Sequence, residues 1–142
     1  MKLHPSVAGV FRNFIEACES ELGIVLRIIQ GFRSIEEQQR IYEQGRTLPG
    51  KIVTNATGGS SYHNYGLAID LAVLKDDGKG IAWNYDMATL KPIAERFGIE
   101  WGGDWKTLKD RPHFQITLGY TVHQLLARVR QNNIDASGFV VV

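Results

Sequence analysis

The chain has 142 residues, 44% of them hydrophobic, and 16 Lys and Arg against 15 Asp and Glu give it a formal net charge of +1. That length fits one compact domain with enough apolar content for a core, and the near-zero charge provides no long-range pull towards nucleic acid. A single cysteine, Cys18, excludes an intrachain disulfide, and no apolar run is long enough to read as a signal peptide or a membrane span.

The first expected element is an amphipathic helix from about Ser6 to Leu22, closed by Gly23. Val7, Val10, Phe11, Phe14, Ile15, Cys18 and Leu22 fall at helical spacing, which makes Cys18 a packing residue and not a nucleophile. A strand follows around Ile24 to Ile29. Ser34 and Glu37 have the spacing of a capping box and open a short helix ending near Gly45. Arg33, just before it, reads from its surroundings alone as a surface arginine paired with Glu36 or Glu37. The Gly/Ser/Thr/Asn-rich run from Arg46 to Tyr65 exceeds the usual loop length, which marks it as functional or mobile and as one wall of a cleft.

From Gly66 to Val73 the residues Leu67, Ile69, Leu71 and Val73 alternate with Gly66, Ala68, Asp70 and Ala72, the period of a strand with one buried face. Asp70 points away from that face, and its small neighbours leave room beside the carboxylate. Asp76 to Gly80 reads as a turn, since it lacks the ligand spacing of a calcium loop. A helix is expected from about Asp86 to Phe97, kinked or delayed by Pro92 and ended by Gly98. Trp101-Gly102-Gly103-Asp104-Trp105 comes next, with one tryptophan expected in the core and the other along a groove. From His113 to Leu118 the alternation returns, with Phe114, Ile116 and Leu118 on one side and His113, Gln115 and Thr117 on the other. Thr121 caps a last amphipathic helix through Asn132, which carries His123 as a non-ligand, and Ile134 to Val142 add a strand or remain a tail.

Two imidazoles, His63 and His113, and two carboxylates, Asp70 and Asp110, thus come from strands and the loops that feed them. Three such groups can hold a zinc ion while the fourth handles protons, the division of labour in a catalytic zinc site with an open position. His63 reaches the polar strand face of Asp70 and His113 from a loop. Against this, a lone histidine near a strand is usually a hydrogen-bonding residue, and the step from His63 to Asp70 is not a helix-borne zinc motif.

Ser61-x-His63, the seven-residue step to Asp70, and Asp110-x-x-His113-Phe114 resemble the signature of the zinc peptidases that cut bacterial cell-wall peptides. That family includes D-Ala-D-Ala carboxypeptidases and dipeptidases, together with the L-alanyl-D-glutamate endopeptidases of phage endolysins and bacterial wall hydrolases. Gly31 to Gln38, Gly45 to Gly50 and Val53 to Ala56 also resemble the endopeptidase branch. The resemblance implies His63, Asp70 and His113 as ligands of one Zn2+ ion, and Asp110 as general base. It implies Arg33 as a donor to the scissile carbonyl or a nearby substrate carboxylate. Ser61 is either a substrate contact or a stabiliser of its own loop. Most carboxypeptidase members carry Glu where Asp110 stands, which favours the L-alanyl-D-glutamate branch.

The expected fold is α+β: a small, mainly antiparallel sheet with helices on one side and zinc on the other, in a hedgehog/D-Ala-D-Ala-peptidase-like arrangement. Residues 1–142 are expected to be a single catalytic domain, with 134–142 as the potential tail and no separate wall-binding domain. The expected activity is peptidoglycan hydrolysis between L-Ala and D-Glu, with stem peptides as substrate. D-Ala-D-Ala carboxypeptidase activity, a non-catalytic zinc-binding module and a metal-free glycosidase using Asp70 and Asp110 are the alternatives. Synthesis in the cytoplasm without a signal peptide would make access to the wall depend on a separate holin-like protein, as in phage or prophage lysis. The chain is expected to be a monomer with no nucleic-acid partner and no membrane insertion.

Overall fold

A computed structural model describes residues 2–142. In chain order its elements are α1 (Ala8–Leu22), β1 (Leu26–Gln30), α2 (Ile35–Glu43), β2 (Ala68–Val73), α3 (Lys91–Arg96), β3 (Glu100–Trp101), β4 (His113–Gln115) and α4 (Val122–Arg130). Short 3-10 turns occupy Tyr62–Tyr65, Met87–Leu90 and Gly102–Asp104. The fold is α+β, with four helices and one antiparallel sheet of order β1-β2-β4-β3. Contacts divide the chain into two compact units.

The first unit, Pro5–Gly31 with Ala68–Ile116, contains the whole sheet, α1 and α3. Phe11, Phe14 and Cys18 recur at three- and four-residue steps along α1 and are fully buried, as an apolar helix face requires. Gly23 ends the helix at φ 65, where its N–H donates to the Glu19 carbonyl. Burial, reinforced by the nearby Glu21 charge, pushes the Cys18 thiol up to about 12, so it stays protonated and inert. Ile69 pairs with Phe114, and Trp101 with Phe114, on the sheet face where the Phe14 ring lies 5.3 Å from that of Phe114. Because side chains alternate across a strand, Asp70, His113, Gln115 and Glu100 share the opposite face.

Several boundaries differ from the sequence expectations. β2 begins at Ala68, not Gly66, because Gly66 takes φ 70 as the cap of the Tyr62–Tyr65 turn. β4 ends at Gln115 and not Leu118, since Leu118 and Gly119 turn the chain at φ 54 and φ 81. β3, only two residues long, carries no period that could announce it. The helix expected from Asp86 is split: Asp86 caps a 3-10 turn through the Ala88 N–H, and Pro92 sits in the first turn of α3, where its missing N–H costs nothing. Pro92 therefore delays the helix and does not kink it.

The second unit comprises the described residues up to His4, Phe32–Leu67 and Thr117–Val142. Ser34 caps α2 by accepting from the Glu37 N–H, and Thr121 with Gln124 closes a full capping box on α4. The C-terminal stretch is tied down by an Ile134–Val140 bridge, buried Phe139 and Val140, and a 2.7 Å hydrogen bond from His4 Nε2 to the Val140 carbonyl. Among the described residues, no helix is long and apolar enough to cross a membrane.

Candidate metal centre

His63 and Arg33 lie in the second unit, on adjoining backbone. The Arg33 N–H donates to the His63 carbonyl at 3.0 Å, and Asn64 Nδ2 donates to the Arg33 carbonyl at 3.1 Å. Ser61 heads the turn that carries His63: its hydroxyl accepts from the His63 N–H at 3.2 Å, while Asn64 Oδ1 accepts from the Ser61 N–H. The hydroxyl thus stabilises its own loop, one of the two roles the sequence leaves open.

The Arg33 guanidinium pairs with neither Glu36 nor Glu37 among the described residues; its Nη1 donates to Gln38 Oε1 at 3.0 Å. Gln38 is fully buried and forms a hub, accepting also from Asn64 and donating to the Ala56 carbonyl and to Thr54. This glutamine fixes the guanidinium and part of the long 46–65 segment together. Sequence reasoning misses its role because a glutamine inside a polar helix looks like solvated surface.

In the first unit, Asp70 and His113 are direct cross-strand partners of β2 and β4, with His113 Nδ1 3.3 Å from Asp70 Oδ1. Asp110 Oδ2 lies 4.0 Å from the same nitrogen. Two ligands on a tetrahedral zinc with bonds of about 2.0–2.1 Å stand about 3.3 Å apart, so the Asp70–His113 pair already has the spacing of such a site. His63, on the second unit, offers a further imidazole. Two imidazole nitrogens and a carboxylate oxygen suit zinc.

Burial pulls the pKa of His113 down, but hydrogen bonds to Asp70 and Gln115 and the charges of Asp70 and Asp110 outweigh it, so the ring titrates above its ordinary 6.5. In the metal-free chain the stability this gives is complete below the unfolded pKa and is lost as pH rises through the raised folded value. Metal binding runs the other way, because it must displace the Nδ1 proton. Zinc affinity is therefore expected to climb by up to about tenfold per pH unit below the raised pKa and then to level off on this account. Competition titrations across pH check this, and a flat profile through that range would contradict it.

Asp110 is positioned by Gly102: the Asp110 N–H donates to the Gly102 carbonyl at 3.0 Å, and a Cβ on Gly102 would stand 2.4 Å from the Asp110 carbonyl oxygen. Gly102→Ala is expected to cost about 1–3 kcal/mol through this overpacking and to displace Asp110. Thermal unfolding together with wall hydrolysis tests it; an unchanged midpoint with unchanged activity would show that the loop adapts freely.

The two tryptophans differ in burial but do not divide into one core and one groove residue. Trp101 is buried and donates from Nε1 to the Arg111 carbonyl, whereas the half-buried Trp105 ring lies 5.1 Å from His113. Both line a cavity of about 330 Å³ with Lys91, Glu95, Glu100 and Asp104.

Residues 54–116 match the D-alanyl-D-alanine carboxypeptidase family. The chain is 46% identical over 124 residues to the peptidoglycan L-alanyl-D-glutamate endopeptidase CwlK of Bacillus subtilis, covering 80% of this chain and 73% of that protein. It is 30% identical over 118 residues to the L-alanyl-D-glutamate peptidase of Listeria phage A118, covering 80% of this chain and 38% of the phage protein. Among solved structures, the Serratia marcescens L-Ala D-Glu endopeptidase ChiX superposes with a TM-score of 0.58 at 28% identity, over 82% of this chain and 81% of that one.

Proposed function

Because the chain belongs to the D-alanyl-D-alanine carboxypeptidase family of metallopeptidases, on its L-alanyl-D-glutamate peptidase branch, we propose that it hydrolyses the L-Ala–D-Glu bond of peptidoglycan stem peptides at the His63, Asp70 and His113 centre. The observation that carries this reading is the cross-strand Asp70–His113 pair at ligand spacing, with a further carboxylate, Asp110, beside it. His63, Asp70 and His113 would hold one zinc ion. Bound there, zinc supplies Lewis acidity, polarising a peptide carbonyl and making water acidic enough to attack near neutral pH.

Asp110 accepts the proton of the attacking water and returns it to the amine of D-Glu as the C–N bond breaks, which leaves L-Ala with the new carboxylate. Arg33, its guanidinium aimed by Gln38, stabilises negative charge on the scissile carbonyl oxygen. Ser61 and Asn64 hold the turn that presents His63. Trp105 gives the stem peptide an apolar wall beside His113.

Arg33→Lys is expected to lower kcat about a hundredfold while zinc content is unchanged, because an ammonium cannot reproduce the fork that Gln38 orients. Equal turnover in the two forms would remove Arg33 from the reaction. The metal assignment is tested by stripping the protein with a chelator and adding zinc back. Wall hydrolysis should vanish and return with zinc, and full activity in the stripped protein would favour glycosidase chemistry instead.

The match to a D-alanyl-D-alanine carboxypeptidase family keeps release of terminal D-Ala as the second reading. We further propose that the chain acts as a monomer on the wall after release through a separate holin-like protein. Finding it in the periplasm before any membrane lesion would count against that route.

A further inference from the structure

We propose that Gln115, oriented by Glu100, fixes the tautomer in which His113 offers Nδ1 to the metal; the inference rests on the zinc reading above. His113 Nε2 lies 2.8 Å from Gln115 Oε1, and Gln115 Nε2 donates to Glu100 Oε2 at 2.7 Å. An ionised carboxylate can only accept, so it takes the NH2 end of the amide and leaves Gln115 its carbonyl oxygen to present to His113. That oxygen can also only accept. Asp70 Oδ1 on the other side of the ring also only accepts, but it lies 3.3 Å from Nδ1 whereas Gln115 Oε1 lies 2.8 Å from Nε2, so the proton of a neutral ring sits on Nε2 and the lone pair on Nδ1.

Strand register builds this line. Glu100 is the cross-strand partner of Gln115, and Gln115 follows His113 by two residues, so all three side chains leave the same face of the sheet. His113 and Gln115 are 5% and 6% exposed, which keeps water from competing for the bond between them.

The network matters because Asp70 favours the opposite state. Without the Gln115 acceptor, the Asp70 carboxylate would draw the ring proton to Nδ1 and leave the lone pair on Nε2, turned away from Asp70. Metal binding would then have to reverse the tautomer. Loss of such outer partners of a metal-ligating histidine typically weakens metal affinity about 10–100-fold. Neither Gln115 nor Glu100 is given a contact with substrate, so both are positioning residues.

The test compares the full-length chain with Gln115→Leu, Glu100→Gln and the double variant Glu100→Gln with Gln115→Glu, in which the two side chains are exchanged. The 15N resonances of His113 are read in metal-free protein at a pH where its own titration shows the ring neutral, and zinc dissociation constants are read by competition with a chromophoric chelator. The wild type should show the Nε2–H form. Gln115→Leu should shift it towards Nδ1–H and raise the zinc Kd about 10–100-fold. Glu100→Gln, at an exposed side chain that leaves the packing intact, should populate both tautomers with a smaller loss of affinity. The exchanged pair should restore both readouts: the amide placed on β3 can donate to the carboxylate placed on β4, whose second oxygen accepts from His113.

A wild-type Nδ1–H form would overturn the inference, as would wild-type tautomer and affinity in Glu100→Gln or in a folded Gln115→Leu. If the wild type shows Nε2–H but binds no zinc, the zinc reading fails while the orienting network stands.

Discussion

Asp110→Ala is expected to lower wall hydrolysis about a hundred- to ten-thousand-fold while zinc still binds, the loss typical of removing a positioned general base. Asp110 is half-buried, and its contribution to the local fold runs through backbone: its N–H to Gly102 and its carbonyl to the His113 N–H. Truncating the side chain leaves those bonds in place. Its carboxylate stands 4.0 Å from His113 Nδ1, near enough to act on a water beside the metal without replacing a ligand. Metal analysis and turnover on purified peptidoglycan, measured on the same preparation, separate the two effects. Undiminished hydrolysis with zinc bound would reject Asp110 as the base.

The other large effect is expected from Asp70→Asn, which keeps the shape of the side chain and removes its charge. The carboxamide is a poor zinc ligand, so affinity should fall by more than the 10–100-fold typical of losing an outer partner, and hydrolysis should fall with it to background. The substitution also weakens the hydrogen bond that does most to hold the His113 pKa up and removes the charge that adds to it, so the ring should titrate lower in the variant than in the wild type. The sheet should survive, because the Ile69–Phe114 pair and the Phe14 ring hold its other face independently of Asp70. Calorimetric zinc titration, far-UV circular dichroism and the His113 titration by NMR check the three parts. Wild-type zinc affinity in this variant would remove Asp70 from the ligand set.

The half of the site built on strands was legible because period-two alternation places Asp70 and His113 on polar faces, and antiparallel pairing then sets them opposite each other. The helix at Ala8–Leu22 and the caps at Ser34 and Thr121 were readable for a similar reason: local spacing and local hydrogen bonds decide them. What stayed hidden depends on partners distant in sequence. The two-residue strand Glu100–Trp101 exists only because it pairs with Phe114 and Gln115. Gln38 becomes a hub through residues 16 and 18 positions further along the chain, and Gln115 acquires its orientation from a carboxylate 15 positions before it. Leu118 continues the alternation by residue type, yet the chain has already turned there at a positive φ.

The most direct test of the account is to digest purified peptidoglycan with the zinc-loaded protein and identify the released fragments and their new amino termini by mass spectrometry. Cleavage between L-Ala and D-Glu predicts stem peptides that begin at D-Glu, with L-Ala left on the glycan. Release of terminal D-Ala alone, or a wall left intact by the zinc-loaded protein, would contradict it.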